Sequence, residues 1–213
     1  MLRTNTLVYL LIVSASNALQ SSGRAAARDG PPCSATYFAE RDTMTLSMYQ
    51  ASVPVFIHGL TNLSTILHKA AAHADAKKID PSALLGARLY PDMHPLIRQV
   101  QTATDLAKNS SARLAEADRP AHEDTEQTFG ELQARIAKTI TFLQTLTPAQ
   151  IDGSEENTIS MTIRGHDLSF RGQAYLLYFA QPNFYFHVTT AYAILRHSGV
   201  EIGKMDFIGP LQN

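Results

Sequence analysis

From Met48 to His73 the apolar residues Val53, Phe56, Leu60, Leu63 and Leu67 recur at intervals of three and four, which predicts an amphipathic helix. Lys77-Lys78-Ile79-Asp80-Pro81 breaks that pattern, and Ser82 to Leu89 can supply at most a short helical turn before Pro91. Asp92 then reads as an N-cap with Pro95 inside the first turn. The second helix runs to about Ala115, with Leu96, Val100, Ala103, Ala107 and Leu114 on its inward stripe. Asp118-Arg119-Pro120 marks a turn, and Asp124 with Gln127 resembles a capping arrangement for a third helix. That helix carries Phe129, Leu132, Ile136, Ile140 and Leu143, and Pro148 ends it. Ile159, Met161 and Ile163 alternate with Thr158, Ser160 and Thr162 before a turn at Arg164-Gly165-His166-Asp167, with Leu168 and Phe170 on the return strand of a small hairpin. Gly172 to Ser198 is the fourth helix, which Pro182 should kink or split, and Gly199 sits where a C-cap glycine belongs.

Four long amphipathic helices and a single hairpin predict an all-α protein, a four-helix bundle with one small β-hairpin before the last helix. The bundle domain occupies residues 44–213, and residues 1–43 form an extension of different character. There Arg3 precedes the apolar run Leu7 to Val13, and Ser16-Asn17-Ala18 could be a cleavage site, the pattern of a secretory signal. Arg3, Arg24 and Arg28, with no acidic residue before Asp29, suit a mitochondrial-type transit peptide equally well. A third reading is an upstream start that the functional protein does not use. Translation from Met44 implies a cytoplasmic protein; a working address implies a secreted or mitochondrial one. The apolar run is too short to span a membrane, and Gly23 to Asp42 has the composition of a linker.

Charge and cysteine content narrow the function classes. Eighteen basic and 19 acidic residues among 213 give a net charge of -1, so the basic footprint of a nucleic-acid or anionic-membrane binder is missing. The partners expected are a small-molecule ligand and a second copy of the chain, with no nucleic acid and no membrane. Cys33 is the only cysteine, which excludes an intrachain disulfide, a zinc ribbon and a paired redox motif.

The stretch Pro182 to Arg196 holds the candidate chemistry. At roughly 100° per residue, Asn183, His187 and Ile194 share one side, next to Phe184, Ala191 and Leu195, with Tyr185, Thr189 and Arg196 opposite. An amide and an imidazole one turn apart on an apolar stripe need partners, since an unsatisfied buried polar group costs roughly 1–3 kcal/mol. One reading makes His187 a core histidine satisfied by Asn183, Gln99 or a buried water. The other keeps it as a metal ligand or general base, imidazole being the side chain that titrates near neutrality. No nucleophile with an acidic orienting partner stands beside it. His58, His68 and His73 read as solvated or boundary residues of the first helix, His122 and His166 as loop and turn residues, and His197 as a helix-end cation. Phe184, Tyr185, Phe186 and Tyr192 read as core and packing surface, with a dimer interface as a second use.

Several strings resemble a known family. Met44-Thr45-Leu46-Ser47-Met48-Tyr49, Pro91-Asp92-Met93 with Pro95-Leu96 and Arg98-Gln99-Val100, Pro182-Asn183-Phe184-Tyr185-Phe186-His187, Ala191-Tyr192-Ala193-Ile194-Leu195-Arg196 and Gly203-Lys204-Met205-Asp206-Phe207 resemble the domain-of-unknown-function family numbered 1993. It is related to the DinB/YfiT-like bundles. The resemblance covers residues 44–209 and implies four helices in up-down-down-up order. Members of the wider group hold a divalent metal with one histidine from helix two and a His-x-x-x-His pair from the last long helix, and some are thiol-dependent transferases or isomerases. Here the pair is Asn183-x-x-x-His187, and an amide oxygen is a weaker ligand than imidazole for zinc or nickel. On helix two His94 points away from the inward stripe and Gln99 lies nearer its edge, so the implied set for a zinc or nickel ion is Gln99, Asn183 and His187. Two functions follow as expectations: a bundle that binds a small ligand between helices two and four at these three residues, or a metal- and thiol-dependent transferase or isomerase.

Overall fold

A computed structural model describes residues 46–163 and 165–210. The extension read at residues 1–43, Cys33 included, lies outside these residues.

The first helix, α1, spans Met48–Lys77. Ser47 and Gln50 form a reciprocal capping box at its start, and Lys78 closes it in the left-handed conformation at φ 57°. It outruns the predicted end at His73 because Ala74 and Ala76 favour helix and Ala74 is buried. The short α2, Pro81–Leu85, is capped by Asp80, whose carboxylate accepts from the Ser82 N–H at 2.9 Å. The next long helix, α3, is Leu96–Leu114 and has Pro95, not Asp92, at its N-cap. Proline disfavours helical backbone at the residue before it, here His94, so a helix cannot begin at Asp92.

For α4, Phe129–Gln144, the cap is Thr128 with Glu131 rather than Asp124 with Gln127. Glu131 Oε2 accepts from the backbone N–H of Thr128 at 2.9 Å and of Gln127 at 2.7 Å. After α5, Pro148–Ile151, the strands β1, Thr158–Ile163, and β2, His166–Arg171, pair antiparallel. Ile163 faces His166, so His166 and Asp167 belong to the return strand and Gly165, at φ +80°, helps make a two-residue turn.

The fourth helix is continuous but not uniform. It begins as α6, Gly172–Tyr175, passes through a π turn at Leu176–Ala180 and continues as α7, Gln181–His197. The irregularity expected at Pro182 thus falls just before it, where the Gln181 N–H reaches back to the Leu176 carbonyl, and Pro182 follows as the second residue of α7. The short α8, Lys204–Ile208, packs on α1. There Asn62 Nδ2 donates to the Phe207 and Ile208 carbonyls, and the Gly209 backbone comes so close to the Asn62 amide that a Cβ would lie 2.1 Å from it.

Around the bundle the neighbours are α1, α4, α3 and α7, with α7 returning to α1. That is the up-down-down-up arrangement, and the predicted stripes fill its core: Phe56, Leu60, Leu63 and Leu67 of α1 with Leu96, Val100, Leu132, Ile136, Phe184 and Leu195. Among the described residues no helix is long and apolar enough to cross a membrane. Because α3 and α4 run parallel, residues 115–128 must return along the bundle without regular structure of their own. Arg135, its side chain 2% exposed, holds this strap: Nη1 donates to the Glu123 carbonyl and pairs with Asp124 and Glu126 at 3.0–3.1 Å, Nη2 pairs with Asp105 at 3.0 Å, and Nε donates to Thr104 Oγ1 at 2.7 Å.

Removing one partner from a buried charged network costs about 3–5 kcal/mol, whereas an exposed ion pair is worth about 0–1 kcal/mol. Urea unfolding of Arg135→Ala is therefore expected to show a several-fold larger stability loss than Arg98→Ala, whose side chain is 41% exposed although it also pairs with Asp124. Equal losses would remove Arg135 from its central place.

Candidate functional site

Two of the three predicted site residues meet. Gln99, 1% exposed, projects from the first turn of α3, and His187 is half-buried on the facing side of α7. His187 Nδ1 lies 2.7 Å from Gln99 Oε1, and Gln99 Nε2 donates to the His94 carbonyl at 3.0 Å. A carbonyl oxygen only accepts, so Nδ1 carries the proton and Nε2 keeps its lone pair. The His94 carbonyl is available because Pro95 holds that residue outside the helix, and it orients the amide that orients the imidazole.

Burial, then the nearby His94 and Arg98 charges, lower the His187 pKa from 6.5 to about 4. The ring is neutral at physiological pH. Phe186 stands edge-on to it, ring centroids 5.2 Å apart. Asn183 takes another part: its Nδ2 donates to the Phe179 carbonyl at 2.6 Å, one turn back in the π segment. It is half-buried, and its amide is spent on the backbone of its own helix.

This geometry does not fit the implied metal. An ion on His187 Nε2 would sit about 2.0–2.1 Å from that nitrogen, on the side of the ring away from Nδ1 and hence away from Gln99 Oε1. Asn183 has turned its amide to the helix backbone. One imidazole nitrogen remains, and among the described residues no group of three or more His, Cys, Asp or Glu could hold a metal ion.

The charged cluster around the strap escaped the periodicity. Lys108, nearly buried, pairs with Asp105 at 3.0 Å, and Gln101 Nε2 donates to Glu126 Oε2 at 2.8 Å. His122, read from sequence as an ordinary loop residue, has a side chain only 3% exposed. Its ring nitrogens are buried without hydrogen-bond partners among the described residues. Burial, then Lys108 and Arg135, lower its pKa to about 4 against the opposing pull of Asp105. It lines a cleft of about 470 Å³ together with Arg135 and Lys138. Of the other histidines, His68 is exposed as expected, while the half-buried His58 donates from Nε2 to the Ile208 carbonyl at 2.7 Å. Of the aromatic group, Phe184 is core, packed edge-on against Phe56, whereas Phe186 and Tyr185 remain 56% and 40% exposed.

A folded-state pKa below the unfolded one means that the native protein resists protonation. For His122 and His187 that stabilisation is complete above pH 6.5 and is lost as pH falls from 6.5 towards about 4. Urea midpoints should decline across this window, His122→Leu should flatten the decline, and imidazole NMR signals of both residues should titrate near pH 4. Titration of either ring near 6.5 would contradict the burial argument.

The model of the family described as Domain of unknown function (DUF1993) matches residues 48–208. Among solved structures, a DinB family member protein from Shewanella denitrificans, known from a crystal structure at 1.83 Å, is similar at 42% identity and a TM-score of 0.71, over 78% of this chain and 93% of that one. Among curated proteins there is no match. The match runs from the first residue of α1 to the last of α8 and so takes in the whole bundle. The chain belongs to the DUF1993 family, and its bundle is DinB-like.

Proposed function

We propose that the chain is a binding bundle that takes a small ligand between α3 and α7 through the free Nε2 of His187. The observation that carries this reading is the Gln99–His187 hydrogen bond, which sets one tautomer and leaves one acceptor. Its complement is an O–H or N–H donor on a ligand, with the Phe186 edge as an apolar contact. General-base work is disfavoured, because a pKa of about 4 makes proton uptake at neutral pH cost about 1.4 kcal/mol for each intervening pH unit. The metal- and thiol-dependent transferase or isomerase reading needs three ligands converging on one point, which the orientations of Gln99 and Asn183 do not supply.

The test follows His187 Nε2 by ¹⁵N NMR while small phenols, alcohols and amides are added. Binding should move this resonance, and Gln99→Leu, which frees the tautomer, should weaken binding about 5–10-fold, the worth of about one hydrogen bond. Zinc or nickel should leave the wild-type melting temperature unchanged, while Asn183→His, which places a second imidazole at i,i+4, should gain a nickel-dependent rise. Stoichiometric metal in purified wild type that is lost in His187→Ala would overturn the proposal in favour of the metal reading.

A further inference from the structure

On the far side of α7 from His187 lies a second cleft, of about 380 Å³, walled by Pro54 and Val55 of α1, Tyr185 of α7, and Ile208 and Pro210 at the end of α8. This volume is within the range of small-ligand pockets, about 300–1,000 Å³. Among the described residues none that lines it bears a carboxylate, an ammonium or a guanidinium group, so these residues offer a charged occupant no counter-ion.

Beside the side-chain polar groups of Gln50, His58 and Tyr185, Pro54 gives the cleft a backbone acceptor. It lies inside α1 and has no N–H, so the carbonyl of Gln50, four residues earlier and also on the cleft wall, lacks its helical donor. The next carbonyl, that of Ala51, receives Gln181 Nε2 at 2.6 Å. Gln50 has no such side-chain donor among the described residues. His58, also in the lining, spends its Nε2 proton on the Ile208 carbonyl and so ties the end of α8 to α1. Proline C–H hydrogens carry a small positive charge and rest well on the electron-rich face of an aromatic ring, and the Tyr185 ring adds an aromatic contact.

We infer that this cleft is a binding site, separate from the His187 site, for a small, neutral, planar aromatic molecule whose single N–H or O–H donates to the Gln50 carbonyl. The ring lies between Pro54, Pro210 and Tyr185, and Val55 and Ile208 close the apolar wall. A mid-helix proline otherwise destabilises α1, so the cleft gives a reason for its presence there.

Indole, which is neutral and planar with one N–H, is the probe, and 1-methylindole, which lacks that donor, is its control; both are titrated into the full chain by ¹H–¹⁵N NMR. Indole should bind saturably and shift the amides of Val55, Tyr185 and Ile208, and 1-methylindole should bind about 5–10-fold more weakly, as expected for one hydrogen bond. Pro54→Ala restores a helical N–H to the Gln50 carbonyl and should raise the melting temperature while making the two probes bind alike. Val55→Trp fills the cleft and should abolish binding of both. Equal affinities in the wild type, a preference for indole that survives Pro54→Ala, shifts centred on Gln99 and His187 instead, or no saturable binding would each overturn the inference.

Discussion

The parallel run of α3 and α4 is the constraint that the rest of the bundle obeys. Two helices pointing the same way cannot be joined by a tight turn, so residues 115–128 travel back along the molecule, and their polar groups must find partners there. A single guanidinium meets much of that demand. Its planar fork lets Arg135 serve Asp105 and Thr104 on α3 and Glu123, Asp124 and Glu126 on the strap at once, which the point charge of lysine could not do. Such a network adds little net stability, because desolvation offsets most of the attraction. What it supplies is position: only one placement of the strap satisfies all of these groups together.

A second constraint sets the phase of the last long helix. Four of its buried residues, Leu176, Ala180, Phe184 and Val188, follow one another at intervals of four, while an α-helix repeats every 3.6. Three such intervals in a row would carry the stripe away from the core, and the wider π turn at Leu176–Ala180 absorbs the drift. After it, Phe184 packs on Phe56 and against Gly59, where a Cβ would lie 2.7 Å from the ring. With Phe184 fixed inward, His187 must face α3 and Tyr185 must face α1. The two candidate sites on opposite sides of α7 therefore follow from one bulge.

These constraints explain which features the sequence reveals. The stripes of α1, α3 and α4 are legible because burial of one helical face writes its period directly into the chain; of the residues named on them, only Ile140 of α4 is not fully buried. The helix starts are less so, since Asp92 and Asp124 have the right side chains in the wrong places. At Asp92 the proline rule outweighs the cap preference, and Asp124 is drawn to Arg98 and Arg135. Burial of Arg135, Lys108 and His122 has no periodic signature, because charged residues in a polar-looking stretch read as solvated whichever way they point. Gln99 could be found from its place at the stripe's edge. That its oxygen meets Nδ1 of His187 depends on the turn of one amide, and there the sequence is silent.

The strap and the α3–α7 site are electrostatically connected. Asp124, held by Arg135, also pairs with Arg98, which precedes Gln99 in α3 and adds to the positive field on His187. His122 lies in a similar field from Lys108 and Arg135. Both imidazoles are thus kept neutral by the same two causes, burial and neighbouring cations. A histidine poised for proton transfer is usually raised towards neutrality by a carboxylate partner. Here carboxylates are plentiful, yet the strap network engages them with arginine and lysine. What remains at His187 is a fixed hydrogen-bond acceptor, which favours recognition over acid–base chemistry.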